Sequence, residues 1–284
     1  MDKLTADEIL RAVQAALAED IGPGDATTLA TVPENAPARA AMVAREPLTV
    51  AGLDFAETAF RELSPKVHCE RRVQDGTRAQ AGSTLLHLSG PARALLTAER
   101  VALNFVQRLS GVATLTAQFV EAVRGTRAEI LDTRKTTPGW RRFEKYAVHC
   151  GGGTNHRVGL FDLVLIKDNH LAALRHEQPN AIAAAVQRAR AAYPELKVEV
   201  EADTLEQVRQ AVEARADIIL LDNMSLPDLR AAVALVGESA QTEASGGVTL
   251  QTVRAIAGTG VNFISVGAIT HSARAVDIAL DFNH

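Results

Sequence analysis

One local pattern recurs through the second half of the chain: a short run typical of a β-strand stops abruptly at charged, polar or glycine residues. It occurs six times, at residues 130–131, 163–166, 198–200, 218–221, 241–244 and 263–266. Helix-like spacing of apolar residues separates the later runs, most clearly over 205–214 and 226–236. Strands that alternate with helices in this way are typical of parallel βα units. We therefore predict an α/β fold for this half of the chain.

Two α/β architectures share this pattern, a doubly wound open sheet and a barrel. In a barrel the carboxyl ends of all strands meet on one face, and that face carries the functional residues. Six successive runs of this chain end in polar or glycine residues, which favours the barrel. A complete barrel needs about eight such units. The expected fold is therefore an open or irregular α/β barrel.

The first third of the chain has a different pattern, typical of an α+β layer. Thr5 and Glu8 form a capping box that predicts a helix from about residue 5 to the turn at Gly22. Apolar stretches separated by turn residues predict strands at 40–44, 67–73 and 84–88, with one helix near 55–63.

A long helical pattern follows Pro91, and the pair Ser110-Gly111 predicts a break in it. One polar face of this helix carries four residues, Arg100, Asn104, Gln107 and Arg108. We expect a first domain over residues 1–111 and a second over 112–271. The tail, 272–284, is expected to return to the first domain.

Composition excludes several classes of protein. The 30 Lys and Arg against 34 Asp and Glu give a net charge of −4, and aromatic residues make up 4%, which argues against a nucleic-acid binder. No apolar run is long enough to span a membrane, and the acidic start has no signal-peptide core. Two cysteines are too few for a disulfide framework. A soluble, cytoplasmic protein is expected.

The ends of the first two predicted barrel strands, with their adjoining loops, collect cations. The set is Arg134, Lys135, His156, Arg157, Lys167 and His170. Each alone is typical of a solvated surface charge, but six on one rim suit an anionic small molecule. Arginine pairs bidentately with carboxylate or phosphate, and lysine supplies a point charge.

The next strands supply the opposite charge. Glu199 and Glu201 point to the same side of their strand, and Asp222 ends the following one. Carboxylate oxygens at neighbouring strand ends suit Mg²⁺, although a salt bridge to the neighbouring cations is an equal alternative for Glu199. The last two strands end at Ser245-Gly246-Gly247 and at Gly267, where backbone N–H groups can approach a phosphate.

These segments, in this order, resemble the quinolinate phosphoribosyltransferase family, also called nicotinate-nucleotide pyrophosphorylases (carboxylating). The motif Asp132-Thr133-Arg134-Lys135-Thr136 and the motif Lys167-Asp168-Asn169-His170 are characteristic. The remaining matching segments are 19–27, 99–104, 109–111, 144–148, 151–157, 221–223, 243–247 and 270–272. Trp140 departs from the pattern, because a smaller aliphatic residue is expected there.

The resemblance implies an N-terminal α/β sandwich domain followed by the open α/β barrel of the type II phosphoribosyltransferases. It implies a Mg²⁺-dependent reaction of quinolinate with phosphoribosyl pyrophosphate, giving nicotinate mononucleotide, pyrophosphate and CO₂ for NAD synthesis. It also implies a homodimer, in which Arg100 reaches quinolinate in the partner's site.

The resemblance also assigns roles to individual residues. The quinolinate carboxylates would be held by Arg134, His156, Arg157 and Lys167. The diphosphate, its metal and the ribose would be handled by Lys135, Lys167, Glu201 and Asp222, of which Lys135, Glu201 and Asp222 are the expected catalytic residues and Glu201 and Asp222 the expected metal ligands. The 5′-phosphate would be held by Ser245, Gly246, Gly247 and Gly267, with His271 nearby.

Three alternatives remain. A paralogue of the same fold could act on another substrate, as do phosphoribosyltransferase-like proteins found with molybdate transport. A Schiff-base aldolase would use Lys135 or Lys167, since such lysines occur at barrel strand ends. A non-catalytic phosphate-sensing module would not need the acidic residues.

Overall fold

The computed structural model describes residues 4–283. These residues form two compact units. Unit 1 contains residues 4–117, 138–152 and 272–283, and unit 2 contains 118–137 and 153–271. The boundary expected near residue 112 falls inside a helix, and the segment 138–152 belongs to unit 1 rather than to the barrel.

The chain alternates helices and short strands. The helices are α1 Ala6–Ile21, α2 Ala26–Thr31, α3 Leu53–Leu63, α4 Ala92–Ala122, α5 Arg141–Cys150, α6 Asp168–Ala173, α7 Ala181–Ala192, α8 Leu205–Glu213, α9 Leu226–Val236, α10 Val253–Ala257 and α11 Ala268–His271. The strands are β1 Pro37–Ala44, β2 Leu48–Thr49, β3 His68–Arg71, β4 Arg78–Ala79, β5 Thr84–Pro91, β6 Glu129–Leu131, β7 Val164–Ile166, β8 Val198–Ala202, β9 Ile218–Asp222, β10 Gln241–Ser245, β11 Phe263–Ser265 and β12 Ile278–Asn283.

Unit 1 is built on a four-stranded antiparallel sheet in the order β12-β1-β5-β3. Strand β12 comes from the C-terminal tail and pairs with β1 from Arg39 opposite Asn283 to Ala44 opposite Ile278. Helix α1 begins at the expected capping box, where Thr5 accepts a hydrogen bond from the Glu8 N–H. Its buried stripe is Ile9, Val13 and Leu17.

The expected break in the long helix at Ser110-Gly111 is wrong, because α4 continues to Ala122. The Ser110 hydroxyl is buried, and it accepts a hydrogen bond from the Ala51 N–H at 2.9 Å. A Cβ on Gly111 would lie 2.0 Å from the Arg274 carbonyl oxygen. The two small residues therefore allow close packing of neighbouring backbone against the helix, which local propensity alone does not reveal.

Trp140 belongs to an aromatic cluster in unit 1. It precedes α5, and its ring stacks on Phe105 at a centroid distance of 5.0 Å and meets Phe143 edge-on at 5.9 Å. Phe55 stacks on Phe105 at 4.8 Å. The large side chain at this position therefore packs the segment 138–152 into the core of unit 1.

Unit 2 is an open α/β barrel. Its six strands are all parallel and have the order β6-β11-β10-β9-β8-β7. In the described part of the chain β6 and β7 do not pair, although Thr154 makes a parallel bridge to Leu131 of β6. In register, Glu201, Leu220 and Glu243 lie side by side on β8, β9 and β10 and face the same side of the sheet. Among residues 4–283, no helix has the length and apolar character needed to cross a membrane.

Candidate active site

The carboxyl ends of the barrel strands bring most of the predicted residues of unit 2 onto one rim. Lys135 follows β6 and is exposed. A Cβ added to Gly267 would lie 3.1 Å from Lys135 Cδ and 3.2 Å from His271 Nε2. The Thr270 hydroxyl donates to the Lys135 carbonyl oxygen at 2.7 Å, which fixes the backbone beside this lysine. Lys135, Gly267 and His271 therefore form one group at the rim.

A glycine turn follows β10. Gly246 has φ of 100° and Gly247 has φ of 57°, both in the left-handed region. A Cβ on Gly246 would lie 2.1 Å from Asn223 Oδ1, so this position requires glycine. The Asn223 N–H donates to the Ser245 carbonyl oxygen at 2.9 Å and its amide to Asp222 at 2.6 Å. The turn therefore lies against the end of β9.

Acidic side chains lie close together at the ends of β8 and β9. Glu201 forms a salt bridge with Lys167, with Nζ and the carboxylate oxygen 2.8 Å apart. Partial burial, followed by the negative charges of Asp222, Glu201 and Asp168, raises the pKa of Asp203. Several carboxylates therefore lie near one another at these strand ends, and oxygen donors are the ligands that a hard divalent cation prefers.

His156 lies at the centre of a buried hydrogen-bond network. Asp132, which is buried, accepts hydrogen bonds from the His156 N–H at 2.9 Å and from the Asn155 amide at 2.7 Å. The imidazole Nε2 is 3.0 Å from Glu199 and 3.5 Å from Glu243. Burial by itself lowers the pKa of His156, but the two carboxylates outweigh it and raise that pKa to about 10.

The backbone decides which form of the imidazole is present. The Arg157 N–H donates to His156 Nδ1 at 2.8 Å, which is possible only when Nδ1 carries no proton. A second proton would place two donors against each other at that distance. The two carboxylates favour a proton on each ring nitrogen, whereas the Arg157 N–H at 2.8 Å opposes a proton on Nδ1. The hydrogen-bond geometry fits the form that carries its proton on Nε2, directed at Glu199.

Two arginines stand next to this network. Burial, followed by the positive charge of Arg134, lowers the pKa of Arg157, so the two guanidinium groups are close in space. Arg157 Nη1 donates to the Leu163 carbonyl oxygen at 3.2 Å. Arg134 Nε is buried and has no hydrogen-bond partner among residues 4–283. A pair of neighbouring arginines with a donor still unused is suited to a ligand with two carboxylates.

Two predicted residues have other surroundings. His170 Nδ1 accepts the Lys167 N–H at 2.9 Å and so caps the short helix α6. Arg100 belongs to unit 1, where its side chain is exposed on α4.

The sequence reasoning missed the importance of Glu243 and Asp132. Glu243 is the third residue of a strand whose central positions are all buried. A carboxylate in the middle of a buried strand is rare without a partner, so the position of Glu243 within this strand could have indicated a functional role. The sequence allows Glu199 either a metal or a salt bridge, and in the structure Glu199 is hydrogen-bonded to His156 Nε2 at 3.0 Å.

Comparison with known proteins gives consistent similarities. The model of the quinolinate phosphoribosyl transferase C-terminal domain matches residues 112–281, and the N-terminal domain model matches 25–110. The nicotinate-nucleotide pyrophosphorylase [carboxylating] of Mycobacterium leprae is 46% identical, over 95% of both chains. The probable nicotinate-nucleotide pyrophosphorylase [carboxylating] of Bacillus subtilis is 44% identical, over 93% of this chain and 89% of its own length. The solved nicotinate-nucleotide pyrophosphorylase from Francisella tularensis has a TM-score of 0.93 and 40% identity, over 99% of this chain and 98% of its own.

Proposed function

Because this chain belongs to the quinolinate phosphoribosyltransferase family, we propose that it joins quinolinate to phosphoribosyl pyrophosphate. The products are nicotinate mononucleotide, pyrophosphate and CO₂, and the reaction serves NAD synthesis. The observation that carries the proposal is the Arg134–Arg157 pair beside an acidic cluster and a glycine turn on one rim. One rim thus offers sites of opposite character for a dicarboxylate and for a phosphorylated sugar.

Quinolinate carries two adjacent carboxylates and a pyridine nitrogen. Arg134 and Arg157 supply the fork-shaped donors for the carboxylates, and the unused Arg134 Nε is available to one of them. Lys167 adds a point charge next to Glu201. Holding the ring in this way orients the pyridine nitrogen towards the ribose and reduces the entropic part of the barrier.

Phosphoribosyl pyrophosphate needs donors at both ends and acids at the ribose. The turn formed by Ser245, Gly246 and Gly247, together with Gly267 and His271, offers backbone and side-chain donors to the 5′-phosphate. Lys135 lies beside Gly267, where its ammonium group can offset charge that builds on the departing pyrophosphate. Glu201 and Asp222 would stabilise the cationic character that develops on the ribose.

The acidic cluster fits Mg²⁺, with Glu201 and Asp222 as the residues that would hold it, either directly or through the diphosphate. The fit rests on an oxygen-only donor set at neighbouring strand ends, where Asp222 and Glu201 add to the effect of partial burial in raising the pKa of Asp203. The chemistry supplied by bound Mg²⁺ is neutralisation of charge on the diphosphate.

Decarboxylation needs no further group. Once the ribose is attached, the pyridine nitrogen is cationic and can accept the electron pair left by the departing 2-carboxylate. Burial raises the pKa of Cys69 to about 11 and that of Cys150 to about 12, so neither thiol is an activated nucleophile. Both thiols are free, which supports a reducing location, and we propose the cytoplasm.

The test is an assay with carboxyl-labelled quinolinate and phosphoribosyl pyrophosphate. We expect one labelled CO₂ per nicotinate mononucleotide, loss of both products when EDTA removes divalent metal, and recovery with added Mg²⁺. A phosphoribosyltransferase of another substrate class would release no labelled CO₂. A Schiff-base enzyme would instead be trapped by borohydride with a carbonyl substrate, and either result would reject the proposal.

We further propose that the active form is a homodimer in which Arg100 completes the partner's quinolinate site. Its exposed position on α4 makes it available to another chain. Arg100→Ala and Lys135→Ala proteins should each be inactive alone. Mixing them through reversible unfolding should restore about a quarter of wild-type activity, because one site of each mixed dimer, and half of all dimers, then carries both native residues. No recovery would contradict the shared site.

A further inference from the structure

Beneath the two arginines lies a cluster that the proposed chemistry does not use. It consists of His156, Glu199 and Glu243, whose ligand atoms all lie within 4.8 Å of one another. Glu199 is 0% exposed and Glu243 is 1% exposed. Within residues 4–283, Glu199 Oε1 and both Glu243 oxygens have no hydrogen-bond partner. A buried carboxylate left in this state is costly, so its retention calls for a physical reason.

A metal ion is a poor explanation for the cluster. A metal would have to bind the lone pair of His156 Nε2, but the bond from the Arg157 N–H to Nδ1 leaves the ring proton on Nε2. The carboxylates therefore serve cationic groups that the protein itself supplies.

The hydrogen bonds run in one direction through the cluster. Glu199 accepts the Nε2–H of His156 at 3.0 Å, which fixes the tautomer and the plane of the ring. The lone pair of Nδ1 is then directed at the Arg157 N–H, which it accepts at 2.8 Å. Both ring nitrogens are thus used within the protein, so in this arrangement the imidazole has no N–H left for a substrate carboxylate. Its effect on the substrate passes through Arg157.

We propose that Glu199 and Glu243 are positioning residues for the dicarboxylate substrate. Glu199 holds the His156 ring in the tautomer that fixes the backbone of Arg157. Glu243, whose carboxylate lies 3.5 Å from the same ring nitrogen, adds negative charge that keeps the Nε2–H in place. Together they keep the Arg157 guanidinium beside Arg134 despite the repulsion between the two cations. This inference rests on the proposed function, since it concerns the quinolinate half of that site.

The first experiment compares substrate affinities in Glu199→Gln and Glu243→Gln. Quinolinate Kd, measured by calorimetry, should rise about tenfold or more in each variant, whereas the Kd of phosphoribosyl pyrophosphate should change less than about twofold. Glu213→Gln, on the exposed face of α8, is the matched control and should change neither. An unchanged quinolinate Kd, or an equal loss for both substrates, would overturn the proposal.

The second experiment separates the two ring nitrogens. His156→Asn places a side-chain oxygen near the position of Nδ1 and keeps an acceptor for the Arg157 N–H. His156→Gln places its amide nearer Nε2 and loses that acceptor. We expect the asparagine variant to bind quinolinate more tightly than the glutamine variant, and Glu199→Gln to have little further effect in either, because Glu199 acts through the ring. Additive losses would show that Glu199 acts independently of His156. The reverse ranking would show that the Nδ1 acceptor does not position Arg157, and either result would overturn the proposal.

Because these experiments measure quinolinate binding rather than turnover, they are separate from the test of the proposed function. A wild-type protein that binds quinolinate but forms no nicotinate mononucleotide would reject the function, and the variant Kd values would still decide the positioning role. A wild-type protein that binds no quinolinate would reject both. Stoichiometric Mn²⁺ binding that is lost in Glu243→Gln and kept in Asp222→Asn would show a metal site in place of a positioning cluster.

Discussion

Two buried glutamates, one in each unit, have opposite surroundings. Glu144 of unit 1 is 0% exposed and forms a salt bridge with Arg108, whose Nη2 donates a hydrogen bond to it at 2.6 Å. The same guanidinium also donates to the Ala273 carbonyl oxygen. Glu243 of unit 2 is 1% exposed, and neither of its oxygens has a hydrogen-bond partner in the described chain. Full pairing marks Glu144 as structural, and incomplete pairing marks Glu243 as part of a site.

The difference follows from what each region must do. Arg108 and Glu144 join α4, α5 and the start of the C-terminal tail within unit 1, so their charges are satisfied inside the protein. In unit 2, Arg134 Nε and three oxygens of the buried Glu199 and Glu243 have no hydrogen-bond partner among residues 4–283. Incompletely paired charges destabilise a fold but can serve a site: Arg134 Nε is a donor for a substrate carboxylate, and the buried carboxylates orient neighbouring cationic groups. The comparison predicts that substitutions in unit 1 change stability and that substitutions on the rim change activity.

The largest expected effect is that of Glu144→Ala on stability. It leaves the Arg108 guanidinium without its buried partner, which should lower the free energy of unfolding by about 3–5 kcal/mol. Urea denaturation measures the loss. The fraction that stays folded should keep the wild-type KM for quinolinate. A changed KM with unchanged stability would show that Glu144 is functional rather than structural.

Lys135→Ala should have the reverse signature. Lys135 is exposed on the rim, so the melting temperature should change by less than about 2 °C. Loss of its charge next to the departing pyrophosphate should lower kcat by about 10²- to 10³-fold. Thermal melts test the expected melting temperature, and steady-state rates of the same preparation test the expected fall in kcat. Near-wild-type turnover would remove Lys135 from the mechanism.

The smallest effect concerns an accessible ion pair of unit 1. The hydrogen bond from Arg142, followed by that from the Thr5 N–H, lowers the pKa of Glu8 from 4.5 to about 2. Because the folded pKa is the lower one, this contribution is complete above about pH 4.5 and is lost as the pH falls towards 2. Solvent screening limits it to about 0.5 kcal/mol.

The measurement is the difference in unfolding free energy between wild type and Glu8→Gln at pH 7 and pH 3. Glu62→Gln, which also removes an exposed carboxylate of unit 1, is the control. The wild-type advantage over Glu8→Gln should shrink at pH 3. An advantage that grows on acidification would contradict the assigned sign.

Local patterns predicted most of the secondary structure. The six strand-like runs correspond to β6 to β11, and Leu205–Glu213 and Leu226–Val236 are helices where the apolar spacing predicts them. Those predictions succeeded because side-chain periodicity and capping act over a few residues. The predicted helix break at Ser110-Gly111 was wrong because these two small residues pack against Ala51 and Arg274, which are remote in sequence.

By itself, the sequence determined which residues stand at the ends of parallel strands, because strand period and abrupt polar termination are local properties of the chain. It therefore identified the rim and the types of charge on it. Only the tertiary structure decided how those charges pair. Glu199 and Glu243 are 44 residues apart in sequence, yet both approach His156 Nε2, because parallel strand order and register bring them together. Pairing depends on distances of a few ångströms between remote segments, and no local pattern encodes those distances.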